Sequence, residues 1–303
     1  MATVKELVAD HSRQFSLRGR TFVSVYPVFS RRAGGISVGV NLNLDRGCNF
    51  DCIYCQVDRS APPSPQLPAL RELPGIVREE LELLFDAIST GEFFSRPPFE
   101  DLPENLRLVR DIAFSGDGEP TLSPVFLETA RIARDFLSKK TMSGDPPPLR
   151  LITNGTGLFS RDLRTKTQEI FLEQGPGEIW LKLDAATPAS FDRIDRSHIP
   201  FSRMMEGLEE IVLSLPVTLQ TMVLDFGSPG SPGSLISDRT FWEPLLERVA
   251  LWSQKGARIR AWHLYGVART PALPEVRRVE PSRLLAYAEE ARERLPFPVE
   301  VFA

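Results

Sequence analysis

A chain of 303 residues, 42% hydrophobic and 25% charged, can form one large α/β domain or two small ones and has the balance of a soluble globular enzyme. A net charge of −4 gives no sign of a strongly basic nucleic-acid-binding surface, although a local basic patch stays open. No apolar run approaches the ~20 residues of a membrane span, and residues 1–20 mix charges of both signs without the apolar stretch of a signal peptide, so the expectation is a cytoplasmic protein with reduced thiols.

Residues 1–20 are polar and read as a helix plus loop at the edge of the fold. Thr21 to Val28 alternates weakly and ends in proline, which suits an edge strand. Arg31-Arg32-Ala33-Gly34-Gly35 reads as a turn, its arginines either solvated or contacts for an anionic substrate. Ile36 to Leu44 is a cleaner strand with apolar residues at alternate positions. It runs straight into Arg46-Gly47-Cys48-Asn49-Phe50-Asp51-Cys52-Ile53-Tyr54-Cys55. That loop therefore follows the C-terminal end of a strand, where parallel α/β folds place their chemistry.

The loop holds all 3 cysteines of the chain. An odd count at such short spacings is not a disulfide framework. Three thiolates on so short a loop can converge on one inorganic centre. A cubane cluster has four irons, so three cysteines leave one iron without a protein ligand and open to a substrate or cofactor. The competing reading is a zinc knuckle, which needs a fourth protein ligand. The histidines are His11, His198 and His263, none paired at short spacing with another ligand.

Residues 60–75 are rich in proline and read as a stiff, extended connection. From Ile76 to about Phe94 the pattern is helical, with Val77, Leu81, Leu84 and Ile88 on one face. Ser95 to Glu104 is a second proline-rich loop. Val109 to Phe114 is the next core strand and delivers Ser115-Gly116-Asp117-Gly118-Glu119-Pro120. Glycines there let the backbone approach a ligand, and the acid can accept from an ammonium. The bland reading of Glu119 is a helix-terminal carboxylate. A helix from about Pro124 to Lys140 and an exposed loop over Ser143 to Pro148 follow. A third strand, Leu149 to Ile152, ends in Thr153-Asn154-Gly155-Thr156-Gly157, which could be an ordinary turn or a polar site.

Gly177 to Asp184 is the fourth strand. Lys182 and Asp184 lie two apart and point to one face, as a lumen pair or a structural ion pair. Thr187-Pro188-Ala189-Ser190 has the composition of a helix N-cap. Residues 203–214 form a helix, and Pro216 to Asp225 is the fifth strand, on which Thr218, Gln220 and Met222 share a face. Gly227 to Ser234 is of low complexity, a lid, a partner contact or a linker. Residues 240–254 form an amphipathic helix. Ile259 to Tyr265 is the sixth strand, in which His263 reads as a satisfied core histidine. A helix from Pro281 to Leu295 and a closing strand over Phe297 to Phe302 end the chain.

The cysteine spacing, with Tyr54 before the third cysteine, resembles the signature of the radical S-adenosylmethionine superfamily. Gly116, Asp117, Gly118 and Glu119 resemble that family's Gly-Gly-Glu motif, with Asp117 in place of a glycine. Lys182-Leu183-Asp184-Ala185 followed by Phe191-Asp192-Arg193-Ile194-Asp195-Arg196 resembles the branch related to wyosine-base synthases. The resemblance covers residues 36–270 by motif order. It implies a partial parallel (β/α)6 TIM-like barrel over 36–270, with an N-terminal extension of 1–35 and a C-terminal helix and strand over 271–303. It implies that Cys48, Cys52 and Cys55 hold a [4Fe-4S] cluster whose open iron is chelated by S-adenosylmethionine. Tyr54, Gly116, Asp117, Gly118, Glu119, Asn154, Lys182, Asp184 and Val267 would then contact that cofactor. The implied activity is that of an oxidoreductase-type radical enzyme which abstracts hydrogen from a substrate such as an RNA base or nucleotide. The electron donor would be a flavodoxin or ferredoxin, and the protein a monomer. The synthase of that branch needs a second cluster, for which this chain has no cysteine left. An activating enzyme, a small-molecule radical enzyme and a zinc-binding module are the alternatives.

Overall fold

The structure is a computed structural model that describes residues 15–57, 59, 67–139, 145–227, 238–268, 271 and 273–302. The expectations for residues 1–14, for the prolines between 62 and 65, and for the loop from Ser228 to Ser234 lie outside the described residues. The chain divides into two compact units, one from residues 1–47, 62–152 and 165–178, the other from 48–61, 153–164 and 179–303.

The first unit opens with a short ribbon, β1 (Ser16–Leu17) against β2 (Arg20–Thr21). β3 (Val25–Ser30) pairs antiparallel with β4 (Gly35–Val40). Pro27 sits in β3 at the end of the sheet order, where a missing ladder donor is tolerated. Every residue of β4 is buried, as in a strand covered on both faces. α1 (Leu73–Ser89) follows, then β5 (Val109–Phe114), α2 (Phe126–Lys139) and β6 (Leu149–Thr153). β4, β5 and β6 pair parallel in that order.

α1 starts three residues before the position its apolar pattern suggests. Pro74 lies in its first turn, where the amide it lacks would have no helical partner. The sequence expectation of an extended chain through Pro74 and a helix to Phe94 is thus corrected at both ends. The helix stops at Ser89, and Gly91 has φ +77°. Glu80 of α1 is fully buried and accepts from the amides of Val23 (2.6 Å), Ser24 (3.0 Å) and Val25 (2.8 Å). One carboxylate thereby satisfies the amides at the entry to β3.

α3 (Arg161–Gln168) runs into a π-helical turn, Glu169–Glu173, which the sequence reading missed. Arg134 of α2 supports that turn. Its guanidinium donates to the carbonyls of Ile170 (2.9 Å), Phe171 (3.1 Å) and Pro176 (3.1 Å).

β7 (Gly177–Lys182) belongs to the second unit from Ile179 onward. α4 (Pro188–Ile194) begins at the expected cap, with Thr187 Oγ1 accepting from the Ser190 amide. α5 (Phe201–Ser214), β8 (Val217–Phe226), α6 (Arg239–Gln254) and β9 (Ile259–Gly266) follow. β10 (Val276–Arg278), α7 (Pro281–Arg294) and β11 (Val299–Phe302) complete the chain. β7, β8, β9 and β11 pair parallel in that order. β10 was not foreseen; it lies antiparallel on the end of β8, with Val276 opposite Phe226. Stacked rings of Trp262, Trp242 and Tyr287, at centroid separations of 5.2 and 4.5 Å, fill the space between β9, α6 and α7.

From β4 to β9 each parallel strand is followed by a helical segment. This is the α/β class and the (β/α)6 alternation expected from the sequence. No helix among the described residues is long and apolar enough to cross a membrane.

Candidate cofactor site

In the second unit, Cys48, Cys52 and Cys55 stand on irregular backbone, half-buried, and none is in a disulfide. The loop is anchored by the residues between the cysteines. Phe50 is buried with its ring edge-on to Phe191 at 5.8 Å, and Ile53 is fully buried. The Asp51 amide donates to the Asp195 carbonyl (3.1 Å), and the Ile53 amide to the Ile194 carbonyl (2.9 Å). The Cys55 amide donates to the Cys52 carbonyl (2.9 Å), closing a tight turn. Ser197 Oγ donates to the Asn49 carbonyl (3.1 Å). The end of α4 and the residues after it thus hold the loop through its backbone.

A side-chain triangle holds it a second time. Asn154 Nδ2 donates to Asn49 Oδ1 (3.0 Å), and Asn49 Nδ2 donates to Thr156 Oγ1 (2.9 Å). Asn154 Oδ1 accepts from the Thr156 amide (3.0 Å) and hydroxyl (2.7 Å).

Tyr54 leads to a buried polar group. Its hydroxyl donates to Asp184 Oδ2 (2.5 Å), which also receives Lys182 Nζ at 3.0 Å. Asp184 Oδ1 accepts from the Met222 amide (2.7 Å). Lys182 Nζ donates to the Tyr265 hydroxyl (2.8 Å) and lies 4.7 Å from the centre of the Tyr54 ring. Burial works against the Lys182 charge, but Asp184 and Tyr265 outweigh it and hold the ammonium above its ordinary range. Burial, followed by the Asp184 charge, pushes the Tyr54 phenol up. The same two causes push up the Asp195 carboxyl, whose Oδ1 lies 3.9 Å from Cys52 Sγ. Lys182 and Asp184 share a face, as their spacing predicts, and are an ion pair. Val267 is buried directly after β9. Gln220 reaches His263 Nδ1 at 2.7 Å, so that histidine has a polar partner within the core.

In the first unit, the turn after β5 is packed on the chain that follows β4. The Asp117 amide donates to Asn41 Oδ1 (3.1 Å), and Asn41 Nδ2 donates to Asp117 Oδ2 (2.8 Å). A Cβ on Gly116 would stand 2.3 Å from Asn41 Oδ1, and one on Gly118 would stand 1.9 Å from the carbonyl oxygen of Gly47, the residue before Cys48. Both positions exclude a side chain. Glu119 is buried, and its Oε1 accepts from the Thr121 amide (3.1 Å) and hydroxyl (2.5 Å), capping the 3-10 turn Pro120–Leu122. The capping role that the sequence allowed for this acid is therefore present.

The structure joins Tyr54 to Lys182 and Asp184, and Asn154 to the cysteine loop. Asn41, Asn49, Thr156, Asp195 and Tyr265 were not singled out from the sequence. Thr156 and Asp195 lie within stretches whose composition already stood out, and Tyr265 alternates with His263 on β9.

Three thiols on one braced loop, none in a disulfide, suit an iron–sulfur cluster, since the donor set is soft. Among the described residues, no group of three or more His, Cys, Asp or Glu is gathered so as to hold a metal ion. The fit to a cluster rests on the thiols and their bracing.

No family model matches the chain. It is similar to a UPF0026 protein of Helicobacter pylori, 25% identical over 186 residues, covering 60% of this chain and 49% of that one. A UPF0026 protein of Methanocaldococcus jannaschii is 25% identical over 190 residues, covering 60% of this chain and 47% of that one. The chain spans about half the length of the curated relatives it matches. Streptococcus suis SuiB, solved bound to S-adenosylmethionine, aligns over 90% of this chain and 52% of its own with a TM-score of 0.52 and 9% identity. That likeness is one of fold. It agrees with the barrel-type α/β fold that the sequence resemblance implies.

Proposed function

We propose that this chain is a radical S-adenosylmethionine enzyme. Cys48, Cys52 and Cys55 would hold a [4Fe-4S] cluster. The observation that carries the reading is a loop of three half-buried thiols, after a parallel strand, braced through its backbone by Ile194, Asp195 and Ser197. When bound, the cluster would supply one electron for breaking the sulfur–C5′ bond of S-adenosylmethionine, with methionine leaving and a 5′-deoxyadenosyl radical released.

The chain's own groups bind and orient. Gly116 and Gly118 keep the backbone of their turn clear of side chains, and Asp117 and Glu119 offer acceptors for the methionine ammonium. Lys182, held protonated beside Asp184, is a fixed cation for a carboxylate or a ribose oxygen. Tyr54 holds that pair against the cysteine loop, and Val267 offers an apolar surface to the adenine. A buried, partnered polar set of this kind keeps water from a reactive radical. The substrate that loses hydrogen is an RNA base or nucleotide, by analogy with the wyosine-related branch. A small-molecule radical enzyme or an activating enzyme is the second reading, favoured by the net charge of −4. The electron donor is a flavodoxin or ferredoxin, and the enzyme works as a cytoplasmic monomer.

Anaerobic reconstitution with iron and sulfide, then reduction by dithionite in the presence of S-adenosylmethionine, tests the reading. The expected product is 5′-deoxyadenosine, lost when any of Cys48, Cys52 or Cys55 is changed to Ala. A protein that takes up zinc but no iron, and leaves S-adenosylmethionine intact, overturns it.

A further inference from the structure

We propose that Asn154 serves the cysteine loop rather than the cofactor: it is a positioning residue that acts through Asn49. The proposal rests on the radical-enzyme reading above and assigns a role within it.

Asn154 stands at the end of β6, where a small polar residue is well placed to meet a bound nucleoside. Its bonds point elsewhere. The carbonyl Oδ1 has two acceptor sites, and both are filled by Thr156, through its amide at 3.0 Å and its hydroxyl at 2.7 Å. Its Nδ2 donates to Asn49 Oδ1 at 3.0 Å. Asn49 returns a bond from Nδ2 to Thr156 Oγ1 at 2.9 Å, and the Thr156 hydroxyl passes its proton toward Asn154. Donors and acceptors alternate around the triangle, so it closes without a mismatched pair. Asn154 is only 5% exposed, which makes each of these bonds costly to leave unmade.

Asn49 is the residue after Cys48, and its carbonyl also accepts from Ser197 Oγ at 3.1 Å. With its side chain held on one side and its carbonyl on the other, Asn49 has a fixed orientation, and so has the backbone from which Cys48 projects. Groups that orient metal ligands in this way change metal affinity by about 10- to 100-fold when removed.

The test uses the full chain, reconstituted anaerobically with iron and sulfide. Asn49→Ala, Asn154→Ala, the double variant and Asn154→Asp are compared by the rate of iron loss to a ferrous chelator and by the electron paramagnetic resonance spectrum of the reduced protein. The dissociation constant for S-adenosylmethionine is measured on the loaded fraction. Asn154→Asp keeps the oxygen that accepts from Thr156 and replaces the donor to Asn49 by an oxygen, so it guards against a failure to fold. The expected result is iron loss about 10-fold faster in each single variant. The double variant should be no worse than the worse single one, because the two residues form one unit. All variants should share one altered spectrum and bind the cofactor as the parent does. An Asn154→Asp protein that keeps iron like the parent, or an Asn154→Ala protein with normal iron retention and 10-fold weaker cofactor binding, overturns the proposal. Failure of the parent itself to take up a cluster counts against the radical-enzyme reading instead.

Discussion

The Tyr54 hydroxyl and the Asp184 carboxylate, 130 residues apart in the chain, meet at 2.5 Å. The aromatic of the cysteine motif is thereby tied to the residue two past the end of the lysine strand. Tyr54→Phe removes that donor and leaves the ring that covers Lys182 in place. A hydrogen bond to a buried charged acceptor contributes about 2 kcal/mol, so urea unfolding should show a loss of that order. Tyr54→Ala should cost more, since it also takes away the ring. A Phe variant within about 0.5 kcal/mol of the parent would show that another donor takes over at Asp184.

Lys182 is the only cation paired with Asp184 among the described residues. The carboxylate also has Tyr54 and the Met222 amide, but these are neutral. Lys182→Met should therefore destabilise by about 3 kcal/mol, as for other buried pairs broken from one side. Adding Asp184→Asn to the same chain should recover part of that loss, because the uncompensated charge is then gone. The comparison is read from urea midpoints of the two single variants and the double. A double variant less stable than Lys182→Met alone would contradict the argument.

The alternation of strands and helices was legible because apolar periodicity reports it directly, from β4 to β9. What escaped was set by contacts between distant residues. Pro74 reads locally as a break, yet it starts α1. The π-helical turn at Glu169–Glu173 depends on Arg134, more than thirty residues earlier, whose guanidinium satisfies its carbonyls. β10 is three residues long and exists through its partner β8. The same holds at the candidate site. The cysteines announce themselves by spacing, whereas Asn49 and Asn41 are ordinary polar residues until Asn154 and Asp117 are brought to them.

Asp238 caps α6 and gives the protein one predictable response to acid. Its Oδ1 accepts from the Thr240 hydroxyl (2.6 Å) and amide (2.9 Å). The Thr240 hydroxyl, ahead of the backbone amides, holds the carboxyl below its ordinary value. A group whose folded pKa is depressed binds protons more readily in the unfolded chain. Its contribution is therefore complete above the unfolded value of about 3.9 and fades as pH falls through the lower folded value. Asp238→Asn keeps a capping oxygen and loses the charge at the helix N-terminus. The parent should be more stable than this variant by about 0.5 kcal/mol at neutral pH, and the gap should close in strong acid. Urea midpoints across that range check it, and a gap independent of pH would refute the assignment.

Two glycines of the first unit make opposite predictions from the same substitution. A Cβ on Gly75, in α1, meets nothing within 4 Å, whereas one on Gly118 would stand 1.9 Å from the Gly47 carbonyl oxygen. Gly75→Ala should therefore be neutral or stabilise by up to about 1 kcal/mol, since alanine suits a helix and restricts the unfolded chain. Gly118→Ala must push two stretches of backbone apart, at a cost of about 2 kcal/mol. Because Gly47 adjoins Cys48, that displacement should also reach the cysteine loop. Anaerobically reconstituted Gly118→Ala protein should hold less iron per chain than the parent and yield less 5′-deoxyadenosine, while Gly75→Ala matches the parent in both. Equal iron content in the two variants would mean that the turn after β5 and the cysteine loop are independent.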